Sequence, residues 1–243
     1  SRGVRPQEVE ERGVQILHIS PNHQFPTGTV TPILRRQALL RWAEEQRGYI
    51  IEDDYDSEFR FTGRPIPAMK SIDAAGRVIY MNTFSRSLAP SLRVSYMVLP
   101  PSLMEEYPRR LGFYSCTVPA MEQYTLASFL EEGYFESHVN RMRVFYRNRR
   151  DEVLAAIGQS PLSGRCRVLG EEAGLHFLLE LETEREDSWL SREMEARGVR
   201  LSFLTDYQQR PEAAPLHTLV VNYPGTAPAR LAPALALLAG LLD

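Results

Sequence analysis

Lysine is almost missing from this chain. Lys70 stands alone, so 27 of the 28 basic residues are arginine. The plain cause is a GC-rich coding sequence that drifts lysine to arginine. Cysteine is scarce too: Cys116 and Cys166 lie 50 residues apart. They have no metal-ligand spacing, which leaves two core or surface thiols in a reducing cytoplasm. No stretch approaches the ~18 continuous apolar residues of a membrane span. The opening run SRGVRPQEVEERG has no apolar core region, so no signal peptide is expected there. A large excess of one charge is also lacking. The formal net charge is −3, which argues against the electrostatic footprint of a nucleic-acid binder. Internal repeats and low-complexity linkers are not found.

What is present suits a soluble globular protein. The 243 residues are 43% hydrophobic, enough for one large domain or two modest ones. Residues 14–20 (VQILHIS) form a short β-type run, and PNHQFPTGT after it is a loop. Thr31 as N-cap with Pro32 at the first helical position opens a helix through ILRRQALLRWAEEQ, closed by Gly48. YIIED (49–53), RVIYMNT (77–83) and RVSYMVL (93–99) are short apolar runs with little alternation, as in strands buried on both faces. Strand, loop, helix, strand is a βαβ pattern and predicts a mainly parallel sheet.

After Pro100-Pro101 the character changes. Residues 102–157 read as helices, with Phe135, Val139, Met142 and Tyr146 on one face of the last. Residues 166–182 read as a hairpin, 187–197 as a helix, LSFL and HTLVVNY as strands, and PARLAPALALLAGLL as a closing helix. The expected organisation is 1–100, an α/β domain; 101–157, a helical connection; and 158–243, a smaller α+β domain.

Three polar loops follow the three candidate parallel strands: NHQFPTG (22–28), DDYDSEF (53–59) and TFSRSLAPSLR (83–93). Ligands of open α/β sheets bind beyond the carboxyl ends of the strands, so the loops define one composite site. Each signal alone is weak. PTG is common turn chemistry, the DDYD cluster could be a solvated acidic turn or a carboxylate metal site, and Ser85-Arg86 with Arg93 could be surface charge. His23 alone reads equally well as a loop-capping histidine.

The run from residue 14 to 100 resembles the large domain of fold-type I pyridoxal-phosphate proteins, the class I aminotransferases. It is most similar to the aminotransferase-like effector domain of MocR-type regulators in the GntR superfamily. HQFPTGT, YIIEDDYDSEFRF, TFSRSLAPSLRVSYMVLP, GFYSCTVPAMEQYTLASFLEEGYFESHVNRMR and GLHFLLEL carry the resemblance, which covers nearly the whole chain. It implies the α/β fold of the pyridoxal-phosphate transferase large domain, its N-terminal part missing, plus a smaller C-terminal α+β domain. The implied cofactor is pyridoxal 5'-phosphate. Asp53 matches the carboxylate that keeps the pyridine nitrogen protonated, and Tyr55 the phenol that bonds the ring oxygen. Thr83, Ser85 and Arg93 match the phosphate cradle. Gln24, with His23 as the alternative, resembles the polar side chain near the ring oxygen. Ser115 and Thr117 match a segment that the family places close to the partner subunit's site.

Arg86 departs from the family pattern TFSK, whose lysine forms the Schiff base. Imine formation needs a neutral amine, and a guanidinium with a pKa above ~12 does not supply one. Lys70, in a connecting loop, is no substitute. HTLVVNYPG (217–225) lacks the arginine that usually holds a substrate carboxylate, and Arg210 is the nearest upstream. The family's glycine-rich phosphate turn, its stacking aromatic and the winged helix of the regulators would all lie before residue 14, so the chain resembles a C-terminal fragment. The resulting expectation is a cytoplasmic, dimeric effector domain of a transcription regulator, without catalysis. It would bind pyridoxal phosphate weakly or noncovalently and sense a small amine or amino acid. DNA contact would come only through an upstream winged helix, and no membrane is involved. The alternatives are a fragment of a working class I aminotransferase, or a decayed domain with no ligand.

Overall fold

The computed structural model describes residues 3–63, 66–209 and 215–242. The chain forms two compact units, and the first comprises Ser1–Gln24, Thr29–Glu58 and Gly63–Met142. Its elements are α1 (Pro6–Glu11), β1 (Ile16–Ile19), α2 (Ile33–Glu45), β2 (Tyr49–Asp53), β3 (Val78–Thr83), α3 (Phe84–Ser87), β4 (Ser95–Val98), α4 (Pro101–Leu111) and α5 (Ala120–Glu131). The first turns of α6 (Tyr134–Gln159) complete it. The sheet runs β1-β2-β3-β4. β1 pairs parallel with β2, and β2 parallel with β3, with Ile51 opposite both His18 and Ile79. α2 makes the crossover between β1 and β2, as the βαβ pattern requires. β4 returns antiparallel to β3, with Thr83 opposite Ser95.

Leu39, Trp42 and Ala43 of α2 form a core with Ile19, Ile50, Val78 and Met69, all buried. Two details of α2 differ from expectation. Pro32, extended at φ −64° and ψ 153°, is the N-cap residue itself, so the helix starts at Ile33. The reason lies in Thr31, whose amide donates to the Pro21 carbonyl and whose own carbonyl accepts from Arg36 Nε. Those bonds tie Thr31 into the preceding loop. At the other end the helix stops at Glu45, and Arg47 takes the left-handed conformation (φ 53°) expected of a glycine. Gly48 serves another purpose. A Cβ there would stand 2.9 Å from the Trp42 ring and 3.1 Å from the Gln15 carbonyl. Gly48→Ala is therefore expected to cost about 1–3 kcal/mol through overpacking, read as a lower urea midpoint with an unchanged slope.

The second unit comprises Phe25–Gly28, Phe59–Thr62 and Arg143–Asp243. Within it β5 (Cys166–Leu169), β6 (Phe177–Leu181) and β7 (Thr218–Val221) form an antiparallel sheet. The remainder of α6, α7 (Asp187–Ala196) and α8 (Pro228–Ala239) supply its helices. Phe177, Leu179, Leu190, Met194, Phe203 and Leu219 are among its buried core. LSFL is not the strand that its apolar residues suggest. Phe203 makes one isolated bridge to Leu219, and the chain turns at once into a 3-10 helix at Leu204–Tyr207. The Asp206 carboxylate accepts the Phe203 amide, which holds that turn closed.

No helix among the described residues is long and apolar enough to cross a membrane.

Candidate functional site

The carboxyl ends of the three parallel strands deliver their loops to one edge of the first unit's sheet. Past β1, the loop at 20–24 is held by Arg36, a fully buried side chain of α2. Its guanidinium donates to the carbonyls of Thr31 (2.8 Å), Pro67 (2.9 Å) and Pro21 (2.7 Å) and to Asn22 Oδ1 (2.9 Å). Gln24 turns inward on this loop, where its Oε1 accepts the Ser20 amide at 2.9 Å. His23 is buried, and its Nδ1 lies 2.8 Å from Asp56 Oδ2, so it pins the loops after β1 and β2 together.

β2 ends in Asp53, whose Oδ2 lies 3.4 Å from His18 Nε2 of the adjacent strand. Tyr55 donates its hydroxyl to the His23 carbonyl at 3.1 Å. Burial pushes the Tyr55 phenol well above its ordinary range; nearby Asp56 adds to the shift and the Arg86 guanidinium opposes it. Tyr55 thus sits within electrostatic reach of both Asp53 and Arg86.

Past β3, Thr83 caps the single turn of α3: its Oγ1 accepts the Ser85 amide. The Ser85 hydroxyl donates to the Leu92 carbonyl at 2.9 Å and receives Arg93 Nη1 at 3.3 Å. These bonds fold residues 83–93 into a cup with two hydroxyls and a guanidinium. Arg93 has no carboxylate within ion-pair distance among the described residues. Arg86, also exposed, likewise has no ion-pair or hydrogen-bond partner among them. An exposed guanidinium, Arg93, against the Ser85 hydroxyl, with no counterion among the described residues, suits a dianionic phosphate. Ser115 and Thr117 are exposed on the segment before α5. Arg210 lies outside the described residues.

Sequence reasoning passed over the polar layer behind this edge. Asp54 is buried and accepts from Asn22 Nδ2 (2.7 Å), Ser57 Oγ (2.8 Å) and Tyr80 Oη (2.9 Å). Asn82 extends the layer, donating to Tyr80 Oη and to Glu58 Oε1. Burial raises the Glu58 carboxyl above its ordinary pKa. The folded chain then holds that proton more tightly than the unfolded chain. Stability from this group is complete below the ordinary glutamate range and falls as pH rises toward the folded value. Glu58→Gln keeps the acceptor for Asn82 and removes the charge. It is expected to raise the urea midpoint at pH 8 and to leave it close to the parent's at pH 4.

Parallel β1, β2 and β3, with polar loops gathered past their carboxyl ends, form an open α/β sheet, and solved structures identify it as the fold of pyridoxal-phosphate transferases. Solved members overlay it closely. A kynurenine aminotransferase from Pyrococcus horikoshii matches with a TM-score of 0.80 and 26% identity, over 96% of this chain and 58% of its own. An archaeal alanine:glyoxylate aminotransferase, at 23% identity and a TM-score of 0.83, shares the fold over 99% of this chain and 61% of its own. The chain belongs to the aminotransferase class I and II family, whose model matches residues 7–207. Among curated relatives, the uncharacterized HTH-type transcriptional regulator YhdI of Bacillus subtilis is 41% identical over 93% of this chain and 47% of its own length. The probable rhizopine catabolism regulatory protein MocR of Rhizobium meliloti is 35% identical over 88% of this chain and 43% of its own. The chain thus spans about half the length of the regulators it matches.

Proposed function

We propose that this chain is the ligand-sensing, aminotransferase-like part of a MocR-type transcription regulator, and that it binds pyridoxal phosphate without a covalent bond. The similarity to regulators of this type supports the first half. The single observation that carries the second is the cup at 83–93, with Arg93 beside Ser85 and no carboxylate among the described residues within ion-pair distance of it. Solved relatives that overlay this chain carry the cofactor's chemistry: the Pyrococcus enzyme is in complex with PMP, and a Thermus thermophilus aminotransferase with N-(5'-phosphopyridoxyl)-L-leucine.

The residues present fit the group. Thr83, Ser85 and Arg93 would hold the phosphate, Asp53 the pyridine nitrogen, and Tyr55 the ring oxygen. When bound, the cofactor supplies an electron-poor ring and an aldehyde. Asp53 keeps a proton at the ring nitrogen, and its own position is steadied by His18. Tyr55 stays a neutral phenol at neutral pH, and its one proton, donated to the His23 carbonyl here, would have to turn to the ring oxygen when the cofactor binds. Arg86 contributes charge but no nucleophilic amine, so aminotransfer is not expected. Gln24 supports the loop through Ser20. A small amine or amino acid would be the sensed effector and a second copy of the chain its partner, in a cytoplasmic regulator whose DNA contact lies outside residues 1–243.

Titration with pyridoxal phosphate tests the reading. Reversible binding is expected, weakened by at least tenfold in Arg93→Ala, as loss of a charge-assisted phosphate contact requires. Binding that is insensitive to both Arg93→Ala and Asp53→Ala would overturn it.

A further inference from the structure

A cavity of about 460 Å³ opens beside the α3 turn, between the sheet, α5 and the start of α6. Its apolar wall is aromatic. Phe84 stands 5.5 Å from Tyr96 and 5.7 Å, edge to face, from Phe135. Leu126 and Leu130 of α5 close it from above. Polar groups are few. Asn82 and Glu58 meet through a hydrogen bond of 3.2 Å. Ser87 also lines the cavity, is 2% exposed, and its hydroxyl has no hydrogen-bond partner among the described residues. A buried hydroxyl left unpaired is costly unless something fills the role. One turn of helix thus carries Ser85 into the phosphate cup and Ser87 into this cavity.

We propose that this cavity is a binding site for a small neutral aromatic alcohol, its ring against Phe84 and Phe135 and its hydroxyl between Ser87 and Glu58. The volume falls within the range of small-molecule pockets, about 300–1,000 Å³, and exceeds what one ring requires. The walls are apolar and the polar groups few and convergent, the combination that sets orientation. A neutral head is favoured over a cation because burial already disfavours charge at Glu58. A hydroxyl can accept from Ser87 while it donates to a Glu58 carboxyl oxygen, so one atom meets the Ser87 hydroxyl and is oriented by Glu58. This site does not depend on pyridoxal phosphate, and its test is run without it.

The probe is 4-methylphenol, compared with toluene, each titrated into the chain by calorimetry and ligand-observed NMR. Saturable binding of 4-methylphenol is expected, at least tenfold tighter than toluene. Ser87→Ala should bring 4-methylphenol to within about threefold of toluene and leave toluene unchanged. Ala127→Trp, which fills the cavity from α5, should abolish both. If Ala127→Trp does not fold, the Ser87→Ala comparison decides alone. Absence of saturable binding, equal affinity for the two probes, or 4-methylphenol affinity unaltered in Ser87→Ala would overturn the assignment.

Discussion

Arg86→Lys is expected to change pyridoxal-phosphate binding from reversible to covalent. The position lies within the capped turn of α3, directly after Ser85 and within electrostatic reach of Tyr55. A lysine there would present the only amine in the cup, because Lys70 is spent elsewhere. Its ammonium donates to the Val78 carbonyl at 2.8 Å and lies 4.0 Å from Asp73. Borohydride reduction and peptide mapping give the readout. The unaltered chain should carry no pyridoxyl label in the site. Arg86→Lys should carry it on residue 86, approaching one label per chain, in a protein that also includes the upstream coding sequence. The difference rests on the guanidinium's pKa above ~12, which leaves almost no neutral form at any working pH. A label in the site of the unaltered chain would show that the cup's chemistry has been misjudged.

Arg36→Ala should be the most destabilising single change in the first unit, costing about 4 kcal/mol. The side chain is fully buried, and its four bonds end on three carbonyls and a side-chain amide oxygen. Removing it leaves those acceptors without donors and opens a void. Arg36→Lys should recover little, since a single ammonium cannot reproduce a planar fork aimed at three segments. The Trp42 emission reports this unit, so urea unfolding in a Trp189→Phe background isolates the effect. A loss under about 1 kcal/mol would show that solvent reaches those carbonyls.

How far the sequence reveals this molecule depends on how local each cause is. YIIED was legible to the residue as β2, because a short β-branched run bounded by polar residues has few other uses. The parallel pairing of β1 with β2 followed from the helix between them. The start of α2 was misplaced by one residue, since the fate of Thr31 is settled by Pro21 and Arg36, neither of them its neighbour. LSFL failed for a similar reason: its pairing stops after one bridge, where Asp206 closes a turn. At the site, hydroxyls, acids and arginines could be named from their loops. The inward turn of Gln24 onto Ser20, and the layer linking Asp54, Tyr80, Asn82 and Glu58, could not. Such networks join residues dozens of positions apart through single atoms, and no periodicity records them.

β4 has consequences for anyone handling the chain in solution. All four of its residues are exposed, Met97 at 51%, and no strand lies beyond it among the described residues. Its outer amides and carbonyls form an open ladder with no proline, bulge or lysine to discourage a newcomer. Colloidal behaviour should therefore depend on concentration, with turbidity and thioflavin fluorescence appearing first in crowded samples. A single charge placed at the exposed Met97 would act as a gatekeeper, suppressing that association without entering the buried core.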